Sequence, residues 1–178
     1  MKNLGSLFNK EISVLTSHLL FWPIFIIGIA ADLITKSAMF KWLSSVESQQ
    51  YTVIKGIFQF VMVENRGAAW GIASDKTVTL AVISITALII VMGIFLFGRK
   101  HHLTVVIALG LFAAGICGNL YDRLFNNGRV RDFLDFSWHD KHFPAFNVAD
   151  SMLTIAVALL ILTTLFTPKE NPENIQKS

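Results

Sequence analysis

Four long stretches of the chain are almost entirely apolar, and the polar residues lie between them or at their ends. A helix needs about 20 apolar residues to cross a bilayer, because each residue rises about 1.5 Å across a core of about 30 Å. The pattern therefore predicts four transmembrane helices, over about 19–39, 78–97, 103–121 and 148–166. The second stretch contains no charged residue at all.

Two longer connections, about 41–77 and 124–147, lie on one side of the predicted bundle. Residues 51–63 are mainly β-branched and aromatic and are interrupted by Gly56, a pattern that predicts one or two strands. We therefore expect a small β-sheet between the first two spans, at the membrane surface. The fold class is an all-α membrane protein with a small β element, built as a single integral membrane domain over 1–178.

The second connection has the features of a surface loop. It contains a turn signal and aromatic side chains suited to the headgroup region, namely Asn126-Asn127-Gly128, Trp138, Phe143 and Phe146. We expect this loop to move as a lid over a site at the membrane surface.

Composition supports a membrane protein. The chain has 178 residues, of which 53% are hydrophobic and 15% are charged, whereas soluble domains average about 25% charged residues. The net charge of +3 comes without a run of basic residues, so it gives no reason to expect a nucleic-acid partner. The single cysteine, Cys117, excludes an internal disulfide framework.

Charge bias alone leaves the orientation in the membrane open. Arg99 and Lys100 form a basic hairpin between the second and third spans, and the positive-inside rule would make this hairpin cytoplasmic. However, more lysine and arginine residues lie on or near the opposite side, where the two longer connections are.

Asp150 is the first candidate for chemistry. If the fourth helix begins at Asn147, then Asn147 is a good N-cap and Asp150 completes a capping box, which would explain both residues structurally. However, Ser151 and Thr154 continue a polar stripe from Asp150 into an apolar helix, and such a stripe should face the bundle interior. A functional role is compatible with capping, because a helix N-terminus also stabilises a carboxylate.

Asn119, Asp122 and Arg123 share one helix face at the end of the third span, because they are spaced i, i+3 and i+4. An Asp122–Arg123 charge cluster at the membrane surface is the structural alternative, but we favour a role in ordering the site. Asp32 and Lys36, also spaced i and i+4, form an ion pair in the simplest interpretation.

The partner of Asp150 is left open by the residues alone. Asp132, Asp135 and Asp140 all follow in the second connection, and only Asp132 is distinguished, by its apolar neighbours Val130 and Phe133. Asn65 precedes a run of small residues that would let the backbone approach a neighbour or a substrate closely, although a plain turn after a strand is the alternative.

Other kinds of site fit the sequence poorly. It contains no His-Glu-x-x-His and no Gly-x-Ser-x-Gly, and His139 and His142 lack ligand spacing around them, so we expect no metal or cofactor and interpret both histidines as interface residues. A proton- or ion-coupled transporter with Asp32, Asp122 and Asp150 as relay groups is a competing class. It would place acidic residues in the middle of several spans, whereas these lie near one end.

The polar clusters, taken in order, resemble the bacterial lipoprotein signal peptidase family, or signal peptidase II. The resemblance covers about 19–166 and rests on five short motifs: Asp32-Leu33-Ile34-Thr35-Lys36, Asn65-Arg66-Gly67-Ala68-Ala69-Trp70, Gly118-Asn119-Leu120-Tyr121-Asp122-Arg123, Val130-Arg131-Asp132-Phe133 and Phe146-Asn147-Val148-Ala149-Asp150. One departure is Ala113-Ala114, where the family often has a glycine pair.

The resemblance implies the roles of individual residues. Asp132 and Asp150 match the family's catalytic dyad, and the matching supporting residues are Asp32, Asn65, Asn119, Arg123 and Asn147. The implied substrate is a prolipoprotein with a diacylglyceryl group on its cysteine, which reaches the site through membrane lipid and is cut before that cysteine. The family also implies the bacterial cytoplasmic membrane, cytoplasmic termini and a site at the outer face. We expect a monomer without a cofactor.

Overall fold

Four helices form the body of the protein in a computed structural model that describes residues 10–67, 76–98, 101–138 and 141–166. The helices are α1 (Val14–Leu43), α2 (Thr77–Phe97), α3 (Leu103–Phe125) and α4 (Val148–Phe166). All four are long enough and apolar enough to cross a membrane. The predicted transmembrane helices are therefore confirmed, although α1 and α3 extend beyond the expected bounds.

The first helix has 30 residues, so it spans about 45 Å and is longer than the hydrocarbon core. Its first turns contain polar residues that bond within the helix. The Ser17 hydroxyl donates to the Ser13 carbonyl oxygen at 2.9 Å, and the indole N–H of Trp22 donates to Nδ1 of His18 at 3.0 Å. Because these polar groups have partners within the helix, they do not end it where the apolar stretch begins.

The third helix is the most buried of the four, and small residues on it allow its neighbours to approach closely. A Cβ atom added to Gly115 would lie 2.7 Å from the Ala149 carbonyl oxygen, and one added to Gly118 would meet the Asp32 carboxylate. The methyl group of Ala114, at the departure from the family pattern, is buried and faces Gly28 of α1. Gly28 therefore leaves the space that this additional methyl group requires.

The strands form two antiparallel sheets at opposite ends of the helices. They are β1 (Glu11–Ile12), β2 (Gln50–Ile54), β3 (Phe58–Asn65), β4 (His101–His102), β5 (Val130–Trp138) and β6 (Lys141–His142). The order β2-β3-β5-β6 makes a four-stranded sheet where α1 and α3 end and where α4 begins. The pair β1-β4 lies where α1 and α3 begin. The strands predicted over 51–63 are thereby confirmed.

The sheet is not confined to the connection between the first two helices, which corrects one expectation. The connection predicted as a loop, 124–147, supplies β5, which pairs with β3 in the centre of the sheet. Asp132 and Asp135 obscured this strand, because both are buried at positions where a strand pattern normally shows apolar residues. The turn before β5 is as predicted, with positive φ at Asn127 and Gly128.

We predict that Gly118→Ala destabilises the protein, whereas Gly93→Ala does not. A Cβ atom at position 118 would meet the Asp32 carboxylate and would lie 3.2 Å from Cβ of Ala149, whereas one at position 93 has no neighbour within 4 Å. Overpacking of this kind costs about 1–3 kcal/mol. Thermal unfolding in detergent should show a lowered Tm for Gly118→Ala alone, and equal Tm values would contradict this packing.

Candidate active site

Asp132 and Asp150 line one cavity of about 550 Å³ at the sheet end of the helices. Asp132 lies on β5 and is 2% exposed, and Asp150 lies half-buried in the first turn of α4. The polar part of the lining also includes Asn65, Asn119, Arg123, Ser151 and Thr154, and the apolar part includes Val130, Phe143, Phe146, Leu153 and Ile155. The polar stripe predicted on α4 therefore faces this cavity.

Asn147 links the two aspartates and is fully buried. Its side-chain N–H donates to Oδ1 of Asp132 at 2.7 Å, and its Oδ1 accepts from the backbone N–H of Asp150 at 3.0 Å. Oδ2 of Asp150 accepts in turn from the backbone N–H of Asn147 at 3.2 Å. This pair is a capping box, and Asn147 also bonds to Asp132, so the structural interpretation of Asn147 holds together with its position between the two aspartates.

Two further asparagines each donate to one of the aspartates. Nδ2 of Asn119 donates to Oδ1 of Asp150 at 2.7 Å, and Nδ2 of Asn65 donates to Oδ2 of Asp132 at 3.2 Å. The oxygen of Asn119 accepts from the Lys36 ammonium at 3.0 Å, and the oxygen of Asn65 accepts from the backbone N–H of Gly67 at 2.8 Å.

The orientation of all three side-chain amides follows from these contacts. In each asparagine the oxygen faces a group that only donates hydrogen bonds, either a backbone N–H or an ammonium. The NH₂ group must therefore face the aspartate, because a flipped amide would set donor against donor. The site thus presents amide hydrogens to the carboxyl groups from three sides, at Asn65, Asn119 and Asn147.

Asp122 and Arg123 do not form the charge cluster that was the structural alternative. Asp122 is buried and instead accepts from the side chain of Arg131 at 2.7 Å and from its backbone N–H at 3.0 Å. The Arg123 guanidinium lines the cavity, and its N–H groups donate over long distances to the carbonyl oxygens of Asn119 and Gly67, at 3.5 and 3.4 Å. Asp122 therefore orders β5 against α3, and Arg123 faces the aspartates.

Asp32 and Lys36 form the predicted ion pair, at 2.7 Å, but they also contact the residues around the site. Oδ1 of Asp32 accepts from the backbone N–H of Ala149 at 2.8 Å, next to Asp150 in the first turn of α4. The Lys36 ammonium reaches Asn119, as above. The sequence interpretation missed this contact of Lys36, because i, i+4 spacing identifies the partner on the same helix but no partner on another helix.

Asp135 lies outside the cavity lining and has a different set of partners. Its Oδ2 accepts from Gln59 at 2.6 Å and lies 2.8 Å from Nδ1 of His142. His142 therefore contacts the strand beside it, where the sequence predicted only an interface position. Asp140 and His139 lie outside the described residues. Within the described ranges, no group of three or more His, Cys, Asp or Glu residues is placed to hold a metal ion.

Burial, together with the charge of Asp150, raises the pKa of Asp132 to about 7. The hydrogen bonds from Asn147 and Asn65 oppose this shift by favouring the ionised form. A carboxyl group with a pKa near neutrality, beside a second carboxyl group, can hold a proton where an isolated aspartate would be ionised. Asp132 and Asp150 therefore have the properties that an acid–base pair requires.

This fold and site define a class of protein: a four-helix membrane protein with two aspartates in one cavity at the helix ends. The family described as signal peptidase (SPase) II matches residues 24–166, which include both aspartates. The chain belongs to this family.

Individual relatives are similar in sequence to this chain over most of its length and of theirs. The chain is 41% identical to the lipoprotein signal peptidase of Sulfurihydrogenibium sp. over 88% of this chain and 97% of the relative, and 36% identical to that of Francisella tularensis subsp. novicida over 89% and 99%. Two solved bacterial membrane enzymes share the fold, with TM-scores of 0.73 and 0.70 and identities of 33% and 32%. They cover 88% and 92% of this chain, and 92% and 99% of their own.

We predict that Asp132→Asn becomes more stable relative to the wild type as the pH rises. The pKa of Asp132 is raised from 3.8 to about 7, so its contribution is fully present below pH 3.8 and is lost as the pH rises to about 7. The asparagine variant lacks this loss, which amounts to at most about 4 kcal/mol. The difference in Tm, variant minus wild type, should increase between about pH 4 and pH 8. A constant difference would show that the buried carboxyl group is not titrating in this range.

Proposed function

We propose that the chain is an aspartic endopeptidase that removes the signal peptide from prolipoproteins, cutting the peptide bond before a diacylglyceryl-modified cysteine. The observation that carries the proposal is the pair Asp132 and Asp150 in one cavity, in a chain of the signal peptidase II family. The proposed supporting residues hydrogen-bond to this pair, line its cavity or anchor the elements that carry it; they are Asp32, Asn65, Asn119, Asp122, Arg123 and Asn147.

The proposed mechanism uses the two aspartates as a unit. Two neighbouring carboxyl groups do not both ionise readily, so they share one proton. The ionised member takes a proton from water, which attacks the scissile carbonyl carbon, and the protonated member donates a hydrogen bond to the carbonyl oxygen as negative charge develops there. The tetrahedral intermediate then collapses, the C–N bond breaks, and the proton taken from water passes to the leaving amine nitrogen. The raised pKa of Asp132 favours Asp132 as the protonated member at neutral pH.

The surroundings of the pair suit a lipidated peptide. Apolar side chains such as Phe146, Leu153 and Ile155 line the same cavity as the aspartates, so an acyl chain and a peptide bond would both have suitable contacts. Among the described residues, strand β2 has a strand partner on one side only, and we propose that an extended signal peptide pairs with its other side. We further propose that the enzyme is a monomer in the cytoplasmic membrane, with the sheet at its outer face and both chain ends in the cytoplasm.

The transporter alternative has little support. A relay across the membrane requires ionisable groups along its depth, whereas Asp32, Lys36, Asp122 and Asp150 gather at the sheet end and α2 carries no charged residue. The related proteins at 36–41% identity are signal peptidases.

We predict that Asp132→Asn and Asp150→Asn each abolish cleavage, with a loss of at least about 10³-fold, because each removes one member of the acid–base pair. Asp135→Asn is the matched control, since it changes a buried aspartate on the same strand outside the cavity, and it should retain activity. The measurement is a gel-shift assay in liposomes with a diacylglyceryl-modified prolipoprotein and its unlipidated form. Cleavage of the lipidated form alone is expected.

Two results of this assay would contradict the proposal. Near-normal cleavage by either dyad variant would exclude the pair as the catalytic groups. No cleavage by folded wild-type protein would exclude the peptidase itself, and a proton-flux assay in the same liposomes would then test the transporter.

We also predict that kcat/KM falls by about tenfold per pH unit above about pH 7, because the pair loses the proton that Asp132 holds. The assay is the same cleavage reaction followed from neutral to alkaline pH, with Tm measured in parallel to exclude unfolding. A rate that stays constant to about pH 9 would show that no carboxyl proton is required.

A further inference from the structure

Lys36 lies in a buried polar cluster beside the two aspartates, but it does not line their cavity. We propose that Lys36 is a positioning residue: its ammonium fixes the side-chain amide of Asn119, so that Asn119 donates its hydrogen bond to Asp150. The role in catalysis rests on the proposed function. The orientation of the amide is a physical property that can be tested without it.

The contacts of the ammonium leave it no donor for a substrate. Lys36 is fully buried, and Nζ lies 2.7 Å from Oδ2 of Asp32, 3.0 Å from Oδ1 of Asn119 and 3.3 Å from Oδ2 of Asp122. An ammonium has three N–H donors and no acceptor, so three acceptors occupy it completely. Lys36 therefore has no contact with a substrate, and of its three neighbours Asn119 is the one that contacts a cavity aspartate.

The ammonium stabilises the orientation in which the Asn119 side-chain oxygen faces Lys36 and its NH₂ group faces Asp150. If this amide flipped, its NH₂ group would face the ammonium and its oxygen would face the Asp150 carboxylate, and both contacts would be repulsive. Nδ2 of Asn147 is a second, neutral donor to the Asn119 oxygen, at 3.1 Å. Because a charged donor makes the stronger hydrogen bond, loss of Lys36 should weaken the orientation without abolishing it.

The Lys36 ammonium also lowers the pKa of Asp132 by its charge, so a test of orientation must keep the charge of the cluster balanced. Lys36 and Arg131 face Asp32 and Asp122, so two positive charges balance two negative ones. A buried ion pair contributes little net stability compared with apolar residues of similar size, so stability alone gives no reason for a lysine here.

The test is a variant that removes one charge of each sign, Asp32→Asn together with Lys36→Met. The asparagine keeps an acceptor for the backbone N–H of Ala149, and the cluster stays neutral. The matched control is Glu64→Gln together with Arg129→Met, which removes a 2.6 Å ion pair that lies outside the cavity lining. The primary measurement is an infrared titration of the protonated carboxyl band that disappears in Asp132→Asn. Values of kcat, KM and Tm are measured on the same samples.

We expect the carboxyl band of the Lys36 variant to persist to higher pH, by about one unit, because a weaker hydrogen bond from Asn119 makes loss of the proton that the pair shares less favourable. We expect kcat to fall by about tenfold, with KM within about threefold of the wild-type value, because no substrate contact is lost. The control variant should leave the titration and kcat unchanged.

An unchanged titration and an unchanged kcat, with only Tm lowered, would overturn the proposal and leave Lys36 as a structural link between α1 and α3. If the Met variant does not fold, Asp32→Asn with Lys36→Gln serves instead, since the shorter glutamine falls out of reach of Asn119. An unchanged titration there would overturn the proposal equally. The infrared titration does not require cleavage, so a folded wild-type protein that titrates but does not cleave would contradict the proposed function and not the role of Lys36.

Discussion

A polar group buried among membrane helices must find its hydrogen-bond partners inside the protein, because neither lipid tails nor apolar side chains can replace the hydrogen bonds of water. The sheet end of this protein is built around that constraint. Lys36 of α1 contacts Asn119 and Asp122 of α3, Asp32 of α1 contacts the start of α4, and Asn147 before α4 contacts Asp132 of β5. The helices and the central strand are therefore joined at the site through hydrogen bonds that are protected from water.

Small residues make these contacts possible. Gly118 leaves room for the Asp32 carboxylate, and Gly115 lies against the backbone of Ala149, so α3 can approach both α1 and α4 closely. Asp132 on β5 is buried as well, and the loss of hydration raises its pKa.

The orientation of each asparagine side chain in the site depends on the hydrogen-bond donor that its oxygen faces. An amide side chain can present either its oxygen or its NH₂ group to a carboxyl group, and only the second arrangement favours the ionised form. Backbone N–H groups decide the orientation at Asn65 and Asn147, and the Lys36 ammonium decides it at Asn119. At Asn119, therefore, a residue outside the cavity lining orients the amide hydrogen atoms that point into it.

Much of the fold was predictable from the chain, because a membrane span needs a long apolar stretch and a strand pair needs β-branched and aromatic residues. Strand β5 was not, since its buried Asp132 and Asp135 have partners that only the folded protein provides. For the same reason the sequence offered the neighbouring Arg123 as an alternative partner of Asp122, whereas in the structure Asp122 pairs with Arg131, nine positions further along the chain.

The sequence by itself determined the membrane class, the four spans, the first strand pair and the polar motifs that resemble one family, because each depends on residues close together in the chain. The resemblance implied Asp132 as the partner of Asp150, but only the tertiary structure shows these two side chains in one cavity, with Asp135 outside its lining. The tertiary structure also decided how each asparagine is oriented and what Lys36 contacts. These features depend on atoms from distant segments meeting within hydrogen-bond distance, and residue spacing along a chain does not specify such distances.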